Sequence, residues 1–94
     1  MDPCISIITV TYNDFHGFVR TAKSVIPQLC NSVQWIIKDG GSSQDVLDLI
    51  EDLICDLPCV FLSSSDNGVY EAMNEGLNFA TGDWLIFMNG GDEF

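Results

Sequence analysis

Four short runs of apolar, β-branched and aromatic residues alternate along this 94-residue chain with three stretches whose apolar residues recur at helical spacing, and each run empties into a turn rich in Gly, Asn, Asp or Ser. That alternation leaves few folds open. Antiparallel strands can close in a two-residue hairpin, whereas parallel strands need a crossover of about a dozen residues or more, usually a helix. The chain is therefore expected to be α/β, with a mostly parallel sheet built from β-α units in the Rossmann-like manner. Right-handed crossovers then gather every strand's exit loop on one edge of the sheet, where such folds bind ligands.

The first strand is read at Ile5–Thr11. A helix follows from about Phe15, capped by Asn13 or Asp14 and stopped at Pro27. Residues 33–38 form the second strand and residues 39–43 its exit turn. Val46, Ile50, Leu53 and Leu57 mark the apolar stripe of a second helix that ends before Pro58, with Asp45, Asp48, Glu51 and Asp52 as its solvated face. Cys59–Ser63 is the third strand, leaving through residues 64–68. The third helix carries Val69, Met73 and Leu77 on one stripe and the small residues Ala72, Gly76 and Ala80 on another, which suits close packing on a sheet. The run at residues 84–88 reads as a buried fourth strand leading into Asn89, Gly90, Gly91 and Asp92. No linker or internal repeat interrupts the pattern, so residues 1–94 are one domain.

Composition narrows the partners. With 47% hydrophobic and 18% charged residues the chain is globular, and fourteen acids against three bases give a formal charge of −11. Such a field repels phosphate backbones and argues against nucleic-acid binding. An anionic ligand would need a cation or backbone N–H groups to offset it. Cys4, Cys30, Cys55 and Cys59 follow no secretory-type start, since the apolar stretch after Pro3 has no basic flank; free thiols in a reducing cytosol are expected. Only Cys55 and Cys59 lie close together and the sole histidine, His16, is distant, so no zinc constellation is read. No apolar run approaches the roughly 20 residues that span a bilayer, leaving peripheral contact as the expected form of any membrane association. A chain of this size buries about 60–65% of its unfolded surface, thin cover for a parallel sheet, which points to a part of a larger unit.

Four motifs in order resemble the nucleotide-binding half of family-2 glycosyltransferases with the GT-A fold. They are Ser6-Ile7-Ile8-Thr9-Val10-Thr11-Tyr12-Asn13; Ile36-Ile37-Lys38-Asp39-Gly40-Gly41-Ser42; Asp66-Asn67-Gly68-Val69-Tyr70-Glu71-Ala72-Met73-Asn74-Glu75-Gly76; and the stretch from Ala80 through Trp84 to Asp92. The resemblance covers essentially all of the chain. It implies an inverting transfer of sugar from a nucleotide-diphosphate donor, most simply a UDP-sugar, to a glycan or lipid-linked acceptor. It also implies a cytoplasmic enzyme of bacterial polysaccharide assembly, peripheral to the inner face of the cell membrane, with the catalytic base and the acceptor half beyond residue 94. By this resemblance Thr11, Tyr12, Asn13, Asp39, Asp66 and Gly68 are the nucleotide-binding residues. Tyr12 would stack on the base, Asp39 would accept a hydrogen bond from it, and Gly40 replaces the family's second Asp. Asp92 would be the main ligand of a divalent metal, Mg or Mn, bridging the two phosphates, with Glu93 a weaker second; Asn89 and Gly91 stand where the family commonly has Asp.

Each residue has a plainer reading beside that one. Tyr12 can cap the sheet edge, Asp39 can be a turn former for its Gly-Gly bend, and Asp66 can be an Asx turn or helix cap. Arg20 and Lys23 read as solvated, and Lys38 lies near the site at a strand end that can point away. Two rival functions stay open. One is a non-catalytic nucleotide-binding or interaction module. The other takes Gly90-Gly91-Asp92-Glu93-Phe94 as the signature of a diguanylate cyclase, but such cyclases place it at an antiparallel hairpin and carry an Asp-x-Asp-x-Phe-Lys segment about forty residues upstream, where this chain has the amphipathic residues 50–55.

Overall fold

A computed structural model describes residues 5–30, 32–65 and 69–91. Its elements run β1 (Ile5–Thr11), α1 (Phe15–Val25), a 3-10 turn (Ile26–Gln28), β2 (Val33–Asp39), α2 (Gln44–Ile54), β3 (Cys59–Ser63), α3 (Val69–Leu77) and β4 (Trp84–Phe87). Asp14 caps α1, its carboxylate accepting from the Gly17 N–H at 3.0 Å. Pro27 sits inside the 3-10 turn that ends α1's run.

All pairings are parallel and the strand order is β3-β2-β1-β4. The register sets Ile8 opposite Ile36 and Thr11 opposite Asp39, with Ile8 also opposite Phe87 and Asp39 opposite Ser63. Going from β1 to β2 to β3 the chain steps one way across the sheet; β4 then returns to the far side of β1. With right-handed crossovers, that reversal sends α1 and α2 to one face and α3 to the other. On the first face Ile7, Trp35 and Ile37 meet Phe18, Ala22, Val25, Ile50 and Ile54 in the main core. Phe18 stacks on Trp35 with ring centroids 6.0 Å apart, and the Trp35 indole N–H reaches Thr9 Oγ1 at 3.0 Å. On the second face the small residues of α3 come close to the sheet. Ala72 is fully buried, and a Cβ on Gly76 would stand 2.7 Å from Ile8 Cγ2.

Two local expectations are corrected. The stripe of α2 runs through Val46, Ile50 and Ile54, while Leu53 is exposed, because the helix presents its i, i+4 row to the core. The fourth strand is largely exposed: Trp84 at 72%, Leu85 at 46% and Phe87 at 37%. It is an edge strand, and α1, α2 and α3 centre on β1 and β2, so only Ile86 and the following Met88 reach the core.

Candidate functional site

The reversal between β1 and β4 parts the two exit loops, and a cleft of about 210 Å³ opens there, lined by Val10, Thr11, Tyr12, Asp14, Asn89 and Gly90. This is the switch point at which open α/β sheets take ligands. A larger hollow of about 520 Å³ lies at the outer edge of β3 between Phe61 and Phe79; its one ionisable lining residue, Glu75, is already paired, so the smaller cleft is the better site.

Thr11 and Tyr12 enter the cleft on opposite terms. Thr11 is 4% exposed and its buried hydroxyl has no hydrogen-bond partner among the described residues, which leaves a polar group waiting for one. Tyr12 is 61% exposed, its ring open to a flat partner. Asn13 takes the left-handed φ of 46° and ties the loop to the turn after β2: its N–H donates to Ser42 Oγ at 2.7 Å and its Oδ1 accepts from the Ser43 N–H at 2.9 Å. From the same turn the Gly40 N–H reaches the Thr11 carbonyl at 2.9 Å.

Asp39 is fully buried at the centre of that turn. Its Oδ2 accepts from the N–H groups of Gly41 at 2.9 Å and Ser42 at 2.7 Å and from the Ser63 hydroxyl at 2.9 Å; its Oδ1 accepts from the Ser42 hydroxyl at 2.5 Å. Four donors of the chain itself fill a carboxylate with about four acceptor positions. Of the two readings of Asp39, this geometry supplies the turn former. Gly41, at φ +93°, makes the bend that brings both N–H groups round.

Lys38 does turn away from the cleft, onto the α3 face. Its fully buried ammonium donates to the carbonyls of Asp39 and Ser64, both at 2.8 Å, and pairs with Glu75 at 3.3 Å. Such pairing offsets the cost of burying its charge and ties the ends of β2 and β3 to α3.

The floor beyond β4 is held by α1. The Gly90 N–H continues the ladder to the Val10 carbonyl at 2.8 Å; the Gly91 N–H donates to the Gly17 carbonyl at 2.8 Å and to Thr21 Oγ1 at 2.9 Å, and Thr21 donates to the Asn89 carbonyl at 3.0 Å. Gly91 sits at φ +100°, and a Cβ there would lie 3.3 Å from the Arg20 guanidinium, so Arg20 stands beside this turn. Ser42 stands in the second sequence motif, whereas Thr21 and Glu75 were not singled out from sequence as site-building residues. Thr21 shares a helix face with Phe18, Ala22 and Val25, and a hydroxyl in an apolar stripe is a signal that its partner lies inside.

Asp66, Gly68 and Asp92 lie outside the described residues, as does Glu93. Among the described residues no three His, Cys, Asp or Glu converge as a metal site, and no helix is long and apolar enough to cross a membrane. Mg and Mn are commonly held by one or two carboxylates together with substrate phosphates, so a lone carboxylate at Asp92 is compatible in number with that kind of site. The described cysteines, Cys30, Cys55 and Cys59, are free thiols; none lines the cleft.

An all-parallel doubly wound sheet with a cleft at its switch point defines the class. The family profile for glycosyl transferase family 2 matches residues 6–94, and the chain belongs to that family. An uncharacterized glycosyltransferase of Mycobacterium tuberculosis strain H37Rv is 38% identical over 94 residues, 98% of this chain and 35% of its own length. The PGL/p-HBAD biosynthesis glycosyltransferase of Mycobacterium bovis strain BCG is 34% identical over 92 residues, 96% of this chain and 36% of its own length. The chain thus spans about a third of the relatives it matches. Among solved structures, S. aureus TarS in complex with UDP-GlcNAc superposes with a TM-score of 0.80 at 20% identity, over 97% of this chain and 27% of that one. The mannosyltransferase PcManGT of Pyrobaculum calidifontis, in complex with GDP-Man and Mn2+, gives 0.76 at 17% identity, over 97% and 28%. These likenesses show the fold, the GT-A architecture.

Proposed function

We propose that this chain forms the donor half-site of an inverting glycosyltransferase and takes the nucleoside diphosphate part of a sugar donor in the cleft between the ends of β1 and β4. The observation that carries the reading is the pairing of Tyr12's open ring with the buried hydroxyl of Thr11, unpartnered among the described residues, on one wall of that cleft. A base lying on the ring would gain roughly 1–3 kcal/mol, as in other nucleobase sites. The Thr11 hydroxyl and the Asn89–Gly90 floor then face the more polar part of the ligand. Asp66 and Gly68 complete the nucleotide contacts in this reading, and Asp92 holds a divalent cation, Mg or Mn, whose chemistry is to neutralise charge on the diphosphate.

UDP is the proposed nucleotide. The structural neighbours bind UDP-GlcNAc in one case and GDP-Man with Mn2+ in the other, which supports a nucleotide-sugar donor and leaves the base to experiment. In the complete reaction an acceptor hydroxyl, on a glycan or a lipid-linked glycan, would lose its proton to a carboxylate base as its oxygen bonds the anomeric carbon and the bond to the leaving phosphate oxygen breaks. Among the described residues the one carboxylate lining the cleft, Asp14, is engaged in capping α1, and we assign the base to none of them; the 94 residues are proposed to bind donor without transferring sugar. The cytoplasmic face of the membrane is the proposed location, where nucleotide sugars and lipid-linked acceptors meet.

The cyclase reading is disfavoured by one observation: Gly90 and Gly91 leave a strand paired in parallel with β1 and turn onto α1, whereas the cyclase signature needs an antiparallel hairpin. Calorimetric titration with UDP, with and without Mn2+ and with GTP as control, tests the proposal. Binding that favours UDP, strengthens with metal and is lost in Tyr12→Ala supports it. Preference for GTP, or no nucleotide binding by the folded chain, overturns it.

A further inference from the structure

Tyr12 is too exposed to be held by packing on its own ring, yet both peptide groups that flank it are held by the turn after β2. The peptide before it is fixed by its carbonyl, the Thr11 oxygen, which accepts from the Gly40 N–H at 2.9 Å. The peptide after it is fixed by the Asn13 N–H, which donates to Ser42 Oγ at 2.7 Å. Ser42 is buried, and its single hydroxyl proton goes to Asp39 Oδ1, so a lone pair of the same oxygen is left to receive Asn13. The direction of that relay, from Asn13 through Ser42 to Asp39, is therefore set by the buried carboxylate. Asn13 completes the hold from its side. Its left-handed backbone turns the chain from β1 towards α1 within one residue, and its Oδ1 takes the N–H of Ser43, the first residue before α2, which has no side-chain cap of its own.

We infer that Ser42 and Asn13 are positioning residues: with Asp39 they form a latch that holds Tyr12 in one pose at the lip of the cleft. The latch rests on the reading of that cleft as a nucleotide site, and it gives the Asp-Gly-Gly-Ser turn a task two bonds removed from the ligand. A preorganised ring binds more tightly than a free one because its ordering is complete before the ligand arrives.

The test uses 3-fluorotyrosine, since Tyr12 and Tyr70 are the only tyrosines and give two assignable ¹⁹F resonances. Spectra of the whole chain are recorded without ligand and then through a UDP titration with Mn2+. Ser42→Ala and Asn13→Ala are expected to shift or broaden the Tyr12 resonance, to leave that of Tyr70 in place, and to weaken UDP about three- to tenfold. Ser42→Thr keeps the hydroxyl and is expected to restore the Tyr12 resonance; Asn13→Gly keeps the left-handed step but not the Oδ1 acceptor, and is expected to restore it in part. Should Ser42→Ala fail to fold, the Asn13 pair decides. An unchanged Tyr12 resonance in folded Ser42→Ala, or identical spectra for Asn13→Ala and Asn13→Gly, overturns the latch. Absence of UDP binding by the unaltered chain overturns the nucleotide reading instead, and the ligand-free spectra still decide the latch.

Discussion

A hydroxyl at 4% exposure with no described partner costs stability in the free protein and becomes useful only when something bonds it. Thr11→Val removes that hydroxyl and keeps the shape. It is expected to leave the free chain as stable or up to about 1 kcal/mol more stable, while weakening UDP about three- to tenfold. Thermal unfolding and calorimetry on one sample check both halves; a clear loss of stability would mean that the hydroxyl has a partner within the fold. Thiols give a second residue-scale prediction. Hydrogen bonds from the backbone and hydroxyl of Ser32 lower the Cys30 pKa, and burial raises that of Cys59, so more Cys30 than Cys59 is thiolate at any given pH. As pH rises, iodoacetamide is expected to label Cys30 before Cys59, read by peptide mass; the reverse order would contradict these environments. Asp39 shows where residue-scale reading of sequence stops. Its residue type and its Gly-Gly bend were legible as a turn, but four donors converging from Gly41, Ser42 and Ser63 were not, because Ser63 arrives from β3, 24 residues away.

At the scale of elements, the strand and helix positions follow local periodicity closely, and the third helix shows why. Ala72 and Gly76 let α3 lie against β1, where Gly76 leaves only enough room for Ile8. Gly76→Ala adds a methyl group 2.7 Å from Ile8 Cγ2 and is expected to cost about 1–2 kcal/mol, the overpacking penalty exceeding the helix-propensity gain. Urea unfolding measures it, and a variant of equal or greater stability would show that α3 is not closely seated. The exchange of Leu53 for Ile54 on the α2 stripe was less legible, since a helix with apolar residues at both i+3 and i+4 can present either row until a partner surface chooses.

At the scale of the whole 94-residue chain, the exposed edge at β4 is expected to govern self-association. Trp84 on one face and Leu85 and Phe87 on the other leave apolar side chains exposed along a strand paired on one side among the described residues, in a chain whose net charge of −11 otherwise keeps copies apart. Added salt screens that repulsion, so self-association is expected to rise with ionic strength. Trp84→Lys is expected to suppress it in sedimentation velocity while changing stability by less than about 0.5 kcal/mol. Association that is insensitive to this substitution would place the contact elsewhere.

The chain's own sequence determined the elements, their alternation, the parallel sense of the sheet and the family, because periodicity, turn chemistry and crossover length are local properties that a strand or helix carries with it. Tertiary structure alone decided that β4 returns beside β1 and opens the cleft there, that Lys38 turns inward to Glu75, that Asp39 is occupied by its own turn, and that Tyr12 is held from the loop after β2. Those outcomes depend on which distant segments become neighbours, and a hydrogen bond between residues 29 apart, such as Asn13 to Ser42, leaves no trace in the spacing of either one.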